Sequence, residues 1–193
     1  MGKMPNTERV RGVRTFCHRF EETADYQIID ISHNGYVYLE DPIYHRRRVI
    51  RLPEDVDVID DQVTGLGLSE HDIRLYFNFA FGELADNGDG RFTYTSQKQR
   101  KYDVISKASK AVSHEILEGC EDPIGGWISY GYAWRKAIPQ LAVKSDGPVP
   151  IHFITVIKPC DTTTDIQVAM ETAEVSLAGG KKLVLGIDEI TLS

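Results

Sequence analysis

Three cysteines in 193 residues, Cys17, Cys120 and Cys160, are too far apart and odd in number to staple a fold, and no Cys-x-x-Cys pair offers thiolates to a metal. They read as buried or partly buried free thiols in a reducing compartment, one disulfide plus a leftover thiol being the minority alternative. No apolar run approaches the ~20 residues that a membrane-spanning helix needs, so no membrane partner is expected. Met1 to Arg14 lack the apolar stretch of a secretion signal, so the chain is expected to carry no signal peptide of its own. Basic residues are outnumbered: 22 Lys and Arg against 29 Asp and Glu leave a net charge of −7. That balance argues against nucleic acid, because phosphate binding needs a clustered surplus of cations. An acidic protein can still present a local basic strip to an anionic ligand. His18, His33, His45, His71, His114 and His152 never lie two to five residues apart, as metal ligands on one element would. A nucleophile-elbow serine, a P-loop and a dinucleotide-binding glycine motif are also missing. The residues alone therefore supply no complete catalytic set, no metal site and no cofactor site.

What the sequence does have is alternation. Ile73, Leu75, Phe77, Phe79 and Phe81 point one way and Arg74, Tyr76, Asn78 and Ala80 the other, the pattern of a strand lying on a core. Further strands are expected at Tyr26 to Ile31, Tyr36 to Leu39, Tyr44 to Leu52, Val56 to Val63 and Arg91 to Thr95. Late ones are expected at Trp127 to Tyr132, Gln140 to Lys144, Ile151 to Lys158, Asp165 to Glu171 and Lys182 to Ile187. Asn34-Gly35, Pro53-Glu54-Asp55 and Asp86 to Gly90 are turn signals. Lys101 to Cys120 fits either a helix or two short strands, with local propensity leaning helical. About ten short strands with turn punctuation predict an all-β, antiparallel, multi-stranded sandwich of two stacked sheets with little or no helix. Residues 1–12 read as a polar lead-in, 13–160 as the sandwich domain, and 161–193 as C-terminal strands completing or flanking it.

Three segments carry candidate chemistry. Asp86-Asn87-Gly88-Asp89-Gly90 has a calcium-loop look, but Gly88 sits where a ligand oxygen is needed, so a plain hairpin turn is the stronger reading. Tyr44-His45-Arg46-Arg47-Arg48-Val49-Ile50-Arg51 is the one basic strip, with Arg46 and Arg48 on one strand face and His45, Arg47 and Arg51 on the other. Guanidinium groups there could hold carboxylates or sulfates of acidic sugars bidentately. The competing and stronger reading pairs them with Asp55, Asp57, Asp60 and Asp61 of the next strand. Tyr130, Tyr132 and Trp134 share one parity and could stack on sugar faces, although aromatic rings more often fill sandwich cores.

Several segments, in order, resemble the C-terminal β-sandwich region of the heparinase II/III-like polysaccharide lyases. They are His33-Asn34-Gly35-Tyr36, Asp41 to Arg47, Val58 to Asp61, Thr64 to Gly67, Leu75 to Ala80, Gly126 to Ser129 with Gly131-Tyr132, and Pro150 to Pro159. The likeness covers roughly residues 15–160, and Asn78 stands where the family has a His. The resemblance implies strands for Lys101 to Cys120. It also implies a two-part enzyme, with an acidic polysaccharide lying between this sandwich and a helical toroid of the same or another chain. The implied reaction is β-elimination beside a uronate carboxylate. The family's metal and catalytic His residues lie in a His-x-His-x-Asp segment that this sequence lacks, so no catalytic or metal residue is carried over. Tyr36, His45, Arg47 and Trp134 remain as substrate-binding candidates. A stand-alone module binding acidic polysaccharide is the alternative function. The resemblance leaves a periplasmic or secreted full-length protein open.

Overall fold

A computed structural model describes residues 12–160, 165–168, 172–177 and 180–193. The organising segment is Ile-His-Phe-Ile-Thr-Val-Ile-Lys-Pro at 151–159, whose near-continuous burial marks a strand covered on both faces. The first strands are β1 (Thr15–Glu22), β2 (Gln27–His33), β3 (Ile43–Leu52), β4 (Val56–Gly65) and β5 (His71–Asn78). Then come β6 (Gly82–Gly88), β7 (Arg91–Ser96), β8 (Lys101–Ala108) and β9 (Ser113–Leu117). A side arm holds β10 (Cys120–Glu121), β11 (Ile124–Gly125), β12 (Trp127–Gly131) and β13 (Trp134–Ala137). The chain returns through β14 (Gln140–Gly147) and β15 (Ile151–Pro159). The last strands are β16 (Asp165–Val168), β17 (Ala173–Ser176), β18 (Lys182–Leu185) and β19 (Ile190–Leu192).

Eight strands form a central sheet in the order β1-β2-β3-β4-β15-β8-β7-β6, with β15 entering between β4 and β8. A three-stranded sheet, β5-β14-β9, covers part of one face: Val63, Ile151 and Phe153 cluster with Phe77, Leu141 and Val143. The four-stranded sheet β16-β17-β18-β19 covers part of the other: Ile50, Val58, Ile154 and Val156 cluster with Ala173, Val175, Leu183 and Leu185. The expected all-β antiparallel sandwich is thus what forms, with a third layer added to the stacked pair.

Local chemistry explains the punctuation. Asp89 and Gly90 both adopt positive φ and close the β6–β7 hairpin, so Asp86 to Gly90 is a turn. Glu54 and Asp55 also have positive φ and reverse the chain after Pro53. Tyr36 to Leu39 is a run of turns rather than the expected strand, held by amide bonds from Val37 to the Asn34 carbonyl and from Leu39 to that of Tyr36. Lys101 to Cys120 takes strands, because Val104 and Ile105 are each buried on opposite sides of the central sheet and burial on two faces overrides local helix propensity. The alternation expected from Asp165 is strand as far as Val168, and residues 169–171 lie outside the described residues, as do most of the lead-in residues 1–12. Cys17 and Cys160 are exposed and Cys120 half-buried, all as free thiols, so the expectation of buried cysteines fails for two of them.

The C-terminal layer is latched by arginines. Arg48, 1% exposed, pairs with Asp60 across β3–β4 and also donates to the Gly186 and Glu189 carbonyls in the β18–β19 turn. Arg46 bonds Asp30 on β2 through two nitrogens and reaches Asp188 and the Ile187 carbonyl in the same turn. Arg48→Ala should therefore destabilise the protein by about 3–5 kcal/mol, the usual cost of orphaning a buried charge. Arg48→Met combined with Asp60→Leu should be less harmful than either single change. Urea unfolding followed by tryptophan fluorescence checks both.

Candidate functional site

The basic strip splits by parity as its sequence requires, and each half meets carboxylates. Arg48 pairs with Asp60 on the face towards the C-terminal sheet. Arg47, on the other face, grips Asp61 with two bonds, Nε to Oδ1 at 2.7 Å and Nη2 to Oδ2 at 2.9 Å, and lies 5.4 Å above the Phe77 ring. Arg51 holds Asp57 in the same forked way at 2.8 and 2.7 Å. The cross-strand pairing of Arg with Asp57, Asp60 and Asp61 is therefore present. Asp30 and Asp188 as partners of Arg46 were invisible in sequence, because they lie on β2 and in a distant turn.

Three of the four candidates, Tyr36, His45 and Arg47, gather on the face shared with β5-β14-β9. Gly35 N–H donates to His33 Nδ1 at 3.1 Å, which leaves the proton of a neutral His33 on Nε2. His33 Nε2 stands 3.3 Å from His45 Nδ1, and His45 Nε2 stands 2.6 Å from Asp61 Oδ1. Consistent tautomers then run a directed chain from Gly35 through His33 and His45 to Asp61, whose other ties go to Arg47. The Tyr36 ring is half exposed and meets His33 edge-on at 5.2 Å. Burial, with His45 beside it, holds the His33 imidazole below its ordinary pKa. Asp61 is itself 1% exposed, so this chain ends on a buried carboxylate rather than on an open cleft.

Trp134 sits apart, on the arm. Trp127 turns inward, its indole N–H donating to the Cys120 carbonyl at 2.9 Å, with Arg135 stacked on it at 4.0 Å. A register irregularity between Ile128 and Gly131 breaks the alternation, so the tip no longer follows strand parity. Tyr130 and Trp134 face each other at 5.3 Å, and Tyr130 and Tyr132 are 70% and 103% exposed. The leading expectation that these rings fill a core is overturned for Tyr130 and Tyr132, and for Trp134, which is also exposed. The Lys136 ammonium lies 6.0 Å from the Trp134 ring and 5.5 Å from that of Phe81. Asn78, at the position where the family resemblance places a His, accepts a 2.6 Å bond from Gln140. Among the described residues no group of three His, Cys, Asp or Glu side chains could hold a metal ion.

The family model described as heparinase II/III-like, C-terminal, matches residues 3–167. No curated protein matches the sequence. Among solved structures, a heparinase III gene product superposes with a TM-score of 0.69 at 19% identity, over 89% of this chain and 27% of that one. A crystal structure of heparinase III gives 0.68 at 20% identity, over 89% and 27%. Heparan sulfate lyase HepC from Pedobacter heparinus gives 0.68 at 12% identity, over 93% and 28%. At such identities the likeness is one of fold. The chain spans little more than a quarter of the length of these structures.

The histidines set a pH dependence. His33 and His114 are both held below the ordinary imidazole pKa, His33 by burial and by His45, and His114 by burial, with Lys107 adding to that and Asp86 opposing it. Protons then bind the unfolded chain more readily, so this contribution to stability is present above about pH 6.5 and is lost as pH falls towards the folded-state values. Urea titrations should show that loss, and His33→Gln and His114→Gln should each flatten it.

Proposed function

We propose a function from the family to which this chain belongs, that of the heparinase II/III-like C-terminal domain. In this reading the chain is the β-sandwich part of a polysaccharide lyase acting by β-elimination on a uronate-containing polymer. It works with a helical toroid domain, of the same chain or another, and lines one wall of the cleft between them. The single observation that carries it is the family match across residues 3–167. The proton beside a uronate carboxylate is very weakly acidic, so the reaction needs a positioned base and neutralisation of the carboxylate. The described residues offer no matched acid–base pair in an open cleft: His33 and His45 are spent on one another and on Asp61. The isolated chain is therefore inactive in this reading, and its part is to hold substrate.

Within that part the candidates differ. Arg47 has already committed two donors to Asp61, which offsets its charge, leaving only its remaining N–H groups for a sugar carboxylate. Tyr36 presents a half-exposed ring against His33. Trp134, paired with Tyr130 and with an ammonium alongside, offers a surface for a pyranose face and its acidic group. That exposed arm also favours a second reading, a stand-alone module that binds acidic polysaccharide without a toroid.

The isolated chain should release no unsaturated product from heparan sulfate yet bind it at low salt, with binding weakened as salt rises. Sustained release of unsaturated product would sink the inactivity claim. Calorimetry should show Trp134→Ala weakening binding roughly three- to tenfold, as loss of about 0.5–1.5 kcal/mol of ring contact implies. Arg47→Ala should cost less, and an unchanged Kd in the Trp134 variant would remove the arm from the substrate wall.

A further inference from the structure

The face of the central sheet that carries Arg48 and Asp60 is only partly covered by the C-terminal layer. Beyond that cover a cavity of about 280 Å³ opens, lined by Gln62, Thr64, Gly65, Pro150, His152 and Ile187. Cross-strand register builds it: Gln62 stands between Arg46 and His152, and Thr64 is opposite Tyr44. His152 is 3% exposed and its Nε2 bonds Asp60 Oδ1. Asp60 is paired with Arg48 through its other oxygen, so it is an ionised acceptor and the imidazole proton lies on Nε2. His152 Nδ1 is then a lone pair with no hydrogen-bond partner among the described residues, on a ring that lines the cavity. That atom is not among the buried polar atoms left without a partner, so it meets solvent in the cavity and is open to a donor that fills it.

The surroundings define the filler. Gln62 and Thr64 add an amide and a hydroxyl, each able to donate and accept, and neither has a side-chain hydrogen bond among the described residues. The lining holds no Lys or Arg, and among the described residues the two arginines on the same face are committed, Arg46 to Asp30, Asp188 and the Ile187 carbonyl, and Arg48 to Asp60 and two carbonyls. Pro150 and Ile187 provide apolar flanks, the latter 57% exposed. We propose that this cavity is a subsite for a neutral pyranose, one hydroxyl donating to His152 Nδ1, others meeting Gln62 and Thr64, and the C–H face resting on Pro150 and Ile187. It lies on the opposite face of the sheet from His45 and Arg47, so it is a separate glycan contact and does not depend on the chain being part of a lyase.

The test is a titration of the full chain, 15N-labelled at histidine, with the methyl β-pyranosides of glucose, galactose and xylose, using glycerol as control. One of the three should move the His152 Nδ1 resonance saturably, in the direction of a newly hydrogen-bonded acceptor. Gln62→Ala and Thr64→Val should each weaken that effect at least threefold. Absence of a saturable shift with all three sugars overturns the proposal. So does an equal shift with glycerol at the same concentration, which marks a solvent-filled hole, or a shift indifferent to Gln62 and Thr64. Both substitutions are at partly or fully exposed positions, so the variants are expected to fold, and their histidine spectra report directly whether they do.

Discussion

The buried pairing of Arg48 with Asp60 is the constraint around which the molecule is arranged. A buried ion pair is a poor source of net stability, because desolvation offsets most of the attraction. Its value here is positional. Asp60 and Asp61 are neighbours on one strand and so point to opposite faces, and Arg48 and Arg47 opposite them do the same. A slip of one residue would turn every one of these groups to the wrong side of the sheet and strand two carboxylates in apolar layers. The same two arginine–aspartate pairs then extend outward. Arg48 seizes the turn of the C-terminal sheet, and Asp61 ends the histidine chain behind Tyr36.

This arrangement also explains why the basic strip is a less open anion site than its sequence suggests. Arg46, Arg47, Arg48 and Arg51 all have carboxylate partners within the fold. Outside that strip the accessible surface is aromatic and polar, with a cation only on the arm: the ring of Tyr36, the pair Tyr130 and Trp134 with Lys136 beside it, and the lining of the cavity beside His152.

The ladder was legible in the sequence because it is local and has period two: Arg51, Arg48 and Arg47 face Asp57, Asp60 and Asp61 across one short turn. The partnership of His152 with Asp60 was not, since 92 residues separate them and only the insertion of β15 beside β4 brings them together. Nor were Asp188 and the carbonyls that Arg46 and Arg48 reach, because a turn has no periodic signature to announce its docking site. The aromatic arm misled for a different reason. Tyr130, Tyr132 and Trp134 share a parity that would have buried them together, but the irregular register of β12 against β13 destroys it. Lys101 to Cys120 needed family resemblance to settle, because the residues that make it strand are supplied by other strands.

The insertion of β15 between β4 and β8 has a consequence for how the molecule assembles. Its partners lie about 90 and 50 residues earlier in the chain, so the central sheet closes only after most of the sequence has been collected into one place. Until then the β1-to-β4 meander and the β6-to-β8 meander are two separate ribbons, each ending in a strand with open hydrogen-bonding groups. Such edges invite pairing with a second copy of the same ribbon. The charges concentrated on β3 and β4 make the first of these edges polar: Asp57, Asp60 and Asp61 stand on β4, each paired with an arginine of β3, where an uninterrupted apolar strand would be the more adhesive surface.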